Sequence, residues 1–234
     1  IIDNSKNSKT VNLIKKFKNK KIKIFSIEDH ILNARARNLG VLKSNKKSTL
    51  LAFCDSDDEW KPDKLRKQIK FMIKKKCSFS FTNYDFFNPT NKTYIKNYFK
   101  IPFKEITFSN LLVKNVIGTS SVILTKKLFK FAGGFPENRY FYSYEDYFFW
   151  LKVSKLTNLS YLDENITIYR DDRKNSATKN SRSFISQRLR ILFYYLFKLD
   201  FKSLIISILA YIKIILLTFH KDKKKDNNEY FDLL

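Results

Sequence analysis

The stretch Leu50-Leu51-Ala52-Phe53-Cys54-Asp55-Ser56-Asp57-Asp58 constrains this chain more than any other. An apolar run of strand length stops at three carboxylates within four positions, and Trp60 closes the turn. Acids packed this closely repel one another, a cost that a cation or a ring of donors must offset. Two readings stand at this point. Asp and Ser are common turn formers, so the segment can be a solvated turn. It can also be a divalent-metal and phosphate site at the carboxyl end of a buried strand, where open α/β sheets place their ligands.

The flanking periodicities favour such a sheet. Ile1-Ile2 before Asp3 reads as the tail of a strand, so the sequence is expected to be a fragment whose first strand lies upstream. A helix is predicted over 11–17, a β-branched strand over 22–27 and a helix over 31–42 that carries Arg35, Arg37 and Asn38. The two arginines fall on different helix faces, so one can point at a ligand while the other is solvated; plain surface charge explains them equally. After the strand over 49–54, Pro62 suits a first helical turn, and Leu65, Ile69, Met72 and Ile73 recur at helical spacing. Residues 77–82 alternate as a strand. Strand–helix alternation of this kind predicts a parallel sheet of βαβ units.

Beyond it, 85–104 reads as an irregular aromatic loop over the site, 107–113 as a short capped helix and 119–125 as a strand. Gly133-Gly134-Phe135-Pro136 is the sharpest turn. Glu145 and Asp146 then open an apolar helix; taken alone, they are explained by the helix dipole. Short strands over 159–162 and 166–169 and a polar loop over 170–179 complete this part.

Composition narrows the classes. The 234 residues suit one substantial α/β domain with an appendage, and 44% hydrophobic residues exclude wholesale disorder. Only 4 Gly and 4 Pro against 23 Phe count against a turn-rich all-β sandwich. Cys54 and Cys77 are expected in strands as buried free thiols of a reducing compartment. Lys and Arg outnumber Asp and Glu by 46 to 22, which favours polyanionic partners. The basic residues are dispersed and carry no nucleic-acid-binding signature, so no nucleic-acid partner is expected.

From about 181 only helix is predicted. The run over 204–219 is apolar apart from Ser207, Lys213 and Thr218. It falls short of the roughly 20 residues that a spanning helix needs. Lys198, Lys202, His220, Lys221 and the lysines at 223–225 flank it. It reads as a helix lying on an anionic membrane surface, with packing on the domain or on another protein as the alternatives.

Taken in order, these pieces resemble the family 2 glycosyltransferases, inverting enzymes of the GT-A fold. Ile1-Ile2-Asp3-Asn4-Ser5 is similar to the acidic end of the family's second strand, and Ala34-Arg35-Ala36-Arg37-Asn38-Leu39-Gly40 to its A-R-N-x-G helix. Leu51 to Asp58 resembles the D-x-D strand, continued by Trp60, Pro62, Lys64 and Leu65. Gly133-Gly134-Phe135 with Glu145, Asp146 and Trp150 resembles the acceptor-side loop and its E-D helix. The resemblance implies an α/β GT-A fold, Rossmann-like, with a mostly parallel central sheet flanked by helices. It makes 1–175 a nucleotide-sugar glycosyltransferase domain without the family's first strand and nucleotide loop, and 181–234 a membrane-associated helical extension. The Q-x-x-R-W signature of processive polysaccharide synthases is absent, which implies transfer of a single sugar.

The resemblance also implies the chemistry. The donor would be a nucleotide sugar, UDP-linked, with Mg²⁺ or Mn²⁺ on its diphosphate. Asp57 would be the direct metal ligand, Asp55 would turn toward the ribose or the metal, and Asp58 would support them. Asp3 would lie beside the base, and Arg37 and Asn38 near the nucleotide. Asp146 would be the general base on the acceptor hydroxyl, with Glu145 as neighbour and fallback. The acceptor would be a saccharide or glycolipid precursor of a bacterial surface polysaccharide, met by a cytoplasmic protein held peripherally at the inner face of the membrane. Two rivals stand beside this reading. A metal-dependent nucleotidyltransferase also uses clustered carboxylates, and a nonenzymatic basic protein could bind nucleic acid or membranes.

Overall fold

The computed structural model describes residues 1–3, 8–17, 19–27, 31–98, 101, 104–170, 184–198 and 200–222. It opens with a two-stranded parallel sheet, β1 (Ile2–Asp3) and β2 (Phe25–Ser26), joined through α1 (Ser8–Lys16). The strand predicted over 22–27 is thus reduced to its aromatic end. Next comes α2 (Asn33–Lys43). It packs on β1 so closely that a Cβ on Gly40 would sit 3.5 Å from Ile2 Cγ1.

The remaining strands form a second sheet. In chain order the elements are β3 (Leu50–Ala52), β4 (Glu59–Trp60), α3 (Lys64–Lys75), β5 (Phe79–Asn88), β6 (Thr93–Ile95) and β7 (Glu105–Ile106). Then follow α4 (Phe108–Val113), β8 (Ile123–Thr125), α5 (Lys126–Phe131), α6 (Glu145–Ser154) and β9 (Leu159–Arg170). Two long helices follow, α7 (Phe184–Phe197) and α8 (Phe201–Asp222). The strand order is β3-β8-β5-β9-β4, with β6 on the free end of β5 and β7 on β9.

The α/β class with helices flanking a central sheet holds, but the sheet is mixed rather than mostly parallel. Among the described residues only β5–β9 pairs parallel within it, and β3–β8, β5–β8, β4–β9, β5–β6 and β7–β9 are antiparallel. The crossover β3-α3-β5 does set two strands in one direction, as alternation predicts. The later β8 then slots between them, antiparallel to both. Periodicity reports which faces are buried; it does not report which strand becomes the neighbour.

Other differences have local causes. The 85–104 region is not a loop at its start. β5 runs on to Asn88 and turns back as β6, pairing Phe86 with Ile95 and Asn88 with Thr93. Alternation marks the strand only over 77–82; Phe79 to Phe86 is buried on both faces, so no alternation marked its extension to Asn88. The strand expected over 119–125 begins with a 3₁₀ turn, Thr119–Ser121, and extends only at Ile123–Thr125. The two strands expected over 159–169 are one, β9, whose register on β5 slips around Asn83. On α3 the buried stripe is Lys64, Gln68 and Met72, whereas Leu65 and Ile73 are exposed. Neither cysteine lies in a strand. Cys54 is exposed just past β3, and Cys77 is half-buried between α3 and β5; both are free thiols. The loop expected over 170–179 lies outside the described residues from 171 on, as do Asn4, Ser5, the lysines at 223–225 and the side chains of His220 and Lys221.

The predicted cap on α4 is present: Thr107 and Asn110 exchange side-chain and backbone hydrogen bonds as a capping box. α6 is buried on almost every side, from Tyr147 through Leu151. Phe135 packs on its Phe149 with ring centroids 4.6 Å apart and meets Trp150 edge-on. A helix buried all round is fixed in place, so its first turn is held at one position. α7 and α8 do not stand apart, since Ile191, Tyr195 and Ala210 enter the same hydrophobic core.

Candidate active site

Arg37 organises the site. It projects from α2 with its guanidinium donating Nη2 to both oxygens of Asp55, at 2.8 and 2.9 Å, and Nη1 to Glu145 Oε1 at 2.9 Å. The planar fork suits two carboxylates at once, which an ammonium does not. Its Cζ lies 5.5 Å from the ring centre of Phe135, a cation–π approach that encloses it further. Burial disfavours its charge, but Asp55, Asp146 and Glu145 more than compensate, so its pKa is raised and it stays a cation. Burial and the neighbouring Asp146 raise the Glu145 pKa, while Arg37 pulls it down.

The acidic turn after β3 is fixed by Ser120 in the 3₁₀ segment. The Asp55 backbone N–H donates to Ser120 Oγ at 2.9 Å, and Trp60 Nε1 donates to the Ser120 carbonyl at 2.8 Å. One residue therefore clamps both ends of the turn. Asp58 accepts the Arg170 N–H at 3.0 Å and the Ser120 hydroxyl. Burial nonetheless pushes its pKa up to about 6. Asp57, between them, is exposed. Below the turn, Lys64 is buried with Nζ donating to Gln68 Oε1 at 2.6 Å and lying 4.8 Å from the Trp60 ring centre.

The Gly133-Gly134-Phe135-Pro136 turn is locked by Asn38. Its amide donates to the Phe135 carbonyl at 2.9 Å and to Glu137 Oε1 at 2.8 Å, and its Oδ1 accepts the Phe135 N–H at 3.0 Å. Gly133 and Gly134 precede it at φ +78° and +68°, where L side chains are strained. Asp146 follows in the first turn of α6. Its Oδ2 accepts the Thr119 hydroxyl at 2.9 Å and its Oδ1 the Tyr147 N–H at 2.6 Å. Burial outweighs Arg37 and these donors, so its pKa is raised.

Arg37, Asp55, Glu145 and Asp146 thus converge, drawn from α2, the end of β3 and the start of α6. Asp57 and Asp58 adjoin them along the turn. Asn38 serves the Gly-Gly-Phe turn rather than the carboxylates. Asp3 is buried at the end of β1 in the other sheet. Arg35, the second arginine of the helix, is exposed and lines a cleft of about 260 Å³ with Ile27, Ile31, Asn38, Leu39 and Glu137.

Sequence reasoning missed Thr119, Ser120 and Glu137, whose parts in the site are made by partners 27 to 99 positions away. It also missed Asp85, whose buried carboxylate accepts Lys61 Nζ at 2.8 Å, Tyr94 Oη at 2.6 Å and the Asn97 N–H at 3.2 Å. An acid inside an aromatic run was its only signal.

Among the described residues no three His, Cys, Asp or Glu side chains converge into a metal cage. Asp55 is engaged by Arg37, and Asp58 by Arg170 and Ser120. This donor set fits a hard cation that takes one or two protein carboxylates and draws its other oxygens from phosphate. It does not fit a cage built from protein alone.

Comparison with known proteins bears on this geometry. The profile of Glycosyl transferase family 2 matches residues 1–131. A UDP-Glc:alpha-D-GlcNAc-diphosphoundecaprenol beta-1,3-glucosyltransferase of Escherichia coli, WfgD, is 32% identical over 160 residues, covering 68% of this chain and 59% of its own length. A second E. coli enzyme of the same description, WfaP, is 29% identical over 83% of this chain and 79% of its own. The chain spans about half the length of the curated relatives it matches first, 50% and 59%. The structure of Staphylococcus aureus TarS 1-349 in complex with UDP-GlcNAc superposes on 82% of this chain and 55% of its own, with a TM-score of 0.62 at 18% identity. At that identity the likeness shows the GT-A fold.

Proposed function

The chain belongs to glycosyl transferase family 2, and on that premise we propose that it moves a single sugar, with inversion, from a UDP-linked donor to a glycolipid or surface-polysaccharide precursor. The observation that carries this reading is the Arg37 bridge. One guanidinium ties the donor-side acid Asp55 to the acceptor-side acid Glu145. The names of the E. coli relatives support a UDP-sugar donor and an undecaprenol-linked acceptor.

In this reading Asp57 is the direct ligand of Mg²⁺ or Mn²⁺, Asp55 turns toward the ribose or the metal, and Asp58 supports the turn. The cation, when bound, would neutralise charge developing on the departing diphosphate. Asp3 lies toward the base, and Arg37 and Asn38 frame the nucleotide side. Asp146 takes the proton from the acceptor hydroxyl. Thr119 and Tyr147 hold its carboxylate by both oxygens, and burial makes it a stronger base than an ordinary aspartate. Glu145 is committed to Arg37 and suits positioning better. The protein would work from the cytoplasmic side, peripherally at the inner face of the membrane.

Calorimetry of UDP binding by the full-length protein, with and without Mn²⁺, tests the donor site. Asp57→Ala should remove the metal-dependent part of the affinity. If that part survives, Asp57 is not the ligand. Release of a nucleoside diphosphate, rather than pyrophosphate, separates this chemistry from nucleotidyl transfer.

A further inference from the structure

Along α8, Ser203, Ser207 and Ala210 face the protein with Leu204 and Ile206 packed beside them, and the other described bulky apolar side chains form an outward stripe. Ser203, Ser207 and Ala210 are buried, and the hydroxyls are satisfied. Ser207 Oγ donates to the Ser203 carbonyl at 2.7 Å, and Lys155 Nζ donates to Ser203 Oγ at 2.7 Å. Phe201, Ile205, Ile208, Leu209, Ile212 and Leu216 are exposed, the longest-reaching of them by about 60%. At 3.6 residues per turn these six fall within an arc of about 100°. Leu189, Phe193 and Leu196 add a second exposed stripe on α7, at i, i+4 and i+7. Scattered exposed apolar residues need no explanation; two continuous stripes on paired helices do.

Charge says what covers them. Lys202 and Lys213 are exposed, and at 100° per residue they lie at one edge of the α8 stripe; Lys198 is exposed in the turn between the helices. The carboxylate at that turn, Asp200, is paired with Lys155. A second copy of the chain would bring a like lysine rim, on a protein of formal charge +24, against this one. Anionic head groups complement both the aliphatic face and its rim. Among the described residues no helix is long and apolar enough to cross a membrane, which fits a helix lying flat.

The same helix pair holds the loop ahead of the proposed base. Arg190 of α7 stacks on Tyr140 and Tyr144, its Cζ 5.1 and 5.7 Å from the ring centres. It donates Nη1 to the Tyr140 carbonyl at 2.5 Å and to Tyr144 Oη at 3.1 Å, and Tyr140 Oη donates to the Arg190 carbonyl. Tyr144 directly precedes Glu145 and Asp146.

We propose that the outward face of α7 and α8 is a docking surface for an anionic lipid bilayer, linked through Arg190 to the Tyr140–Tyr144 segment that leads into the acidic pair at the start of α6. The inference deepens the reading of a lipid-linked acceptor and rests on it for its use, but the binding itself is independent of turnover. Co-sedimentation of the full chain with phosphatidylcholine vesicles, with and without phosphatidylglycerol, tests it. Binding is expected to the phosphatidylglycerol vesicles and to weaken in high salt. The doubly substituted Ile205→Asn/Ile212→Asn chain should bind about tenfold more weakly, and Lys202→Gln/Lys213→Gln severalfold. Both pairs of positions are exposed, and circular dichroism checks that the variants fold. Absence of vesicle binding, or unchanged binding by the isoleucine variant, overturns the proposal. So does a wild-type dimer that the same variant makes monomeric, since the face would then join two copies. Loss of UDP binding with vesicle binding intact would count against the transferase reading alone.

Discussion

Arg37 and Glu145 stand 108 positions apart in the chain and 2.9 Å apart in the fold. Their ion pair is the point where the strand bearing the acidic turn and the helix bearing the acidic pair become one site. Arg37 faces Asp55, Glu145 and the charge of Asp146 together. That excess of negative charge keeps a buried guanidinium ionised, and it sets what the site can attract next: a cation, or the donors of a substrate.

Arg37→Lys should therefore not be conservative. An ammonium keeps the charge but cannot serve two carboxylates in parallel, so a stability loss of about 1–2 kcal/mol is expected in urea titrations, with weaker UDP binding. Arg37→Met leaves Asp55, Glu145 and Asp146 facing one another and should lose about 2–3 kcal/mol at neutral pH. The sign of its pH dependence follows. Burial already raises the folded-state pKa values of Glu145 and Asp146, and without the opposing charge of Arg37 they rise further above their unfolded values. The folded chain then binds more protons, and the deficit should shrink as pH falls toward the acid range.

Gly134→Ala should damage the same site from the other side. At φ +68° the new Cβ would meet Asn38 Oδ1 at 2.9 Å, the atom that accepts the Phe135 N–H. A left-handed alanine alone costs about 1–2 kcal/mol, and loss of the amide bond adds about 1 kcal/mol. Asn38→Ala removes the same contact. The double variant should therefore be less destabilised than the sum of the singles, which a double-mutant cycle by denaturant titration measures.

What was legible beforehand follows from how local each signal is. The turn at Gly133-Gly134 and the cap at Thr107 depend on neighbouring residues, and both are where the sequence places them. The motif residues Arg37, Asp55, Glu145 and Asp146 were singled out one by one, and the fold brings all four together. What could not be read is what each carboxylate touches. Asp55 in isolation resembles a metal ligand as much as an arginine partner, and only the position of α2 decides which contact it makes here. Ser120 carried no signal, because its clamp on Asp55 and Trp60 exists only once β8 inserts between β3 and β5. The helical spacing of Leu65, Ile69, Met72 and Ile73 did not show that Lys64 is buried, because the buried stripe of α3 runs through Lys64, Gln68 and Met72 rather than through Leu65 and Ile73.

Lys64 carries its own prediction. Burial lowers its pKa from 10.5 to about 8. Its folded-state pKa is thus depressed below the unfolded value, and between about pH 8 and 10.5 the unfolded chain binds the extra proton. Stability should rise with pH through that window, and at neutral pH the charged Lys64 should cost about 1–3 kcal/mol. Lys64→Met removes the charge while filling the space. The difference between wild-type and variant unfolding free energies should narrow as pH rises from 8 toward 10, whatever other groups titrate. A pH-independent difference would mean that Lys64 is not held in a desolvated state.

Asp146 and Glu145 are adjacent acids with different partners, and that difference separates the effects expected of their variants. Glu145 gives an oxygen to Arg37, so Glu145→Gln loosens the bridge and should weaken donor binding and turnover together. Asp146 is held by neutral donors, the Thr119 hydroxyl and the Tyr147 N–H, which lower its pKa by less than burial raises it. Asp146→Asn keeps its shape and one acceptor oxygen but cannot take a proton. UDP affinity should stay within a few fold of wild type while turnover falls about 10²–10⁴-fold. Because its pKa is raised, the acid limb of the wild-type pH–rate profile should lie above the ordinary aspartate range. Activity is lost as pH falls through that raised value, since only the ionised carboxylate is a base. Thr119→Val removes one donor to the ionised form and should move the limb higher still. A Thr119→Val profile unchanged from wild type would place the catalytic base elsewhere.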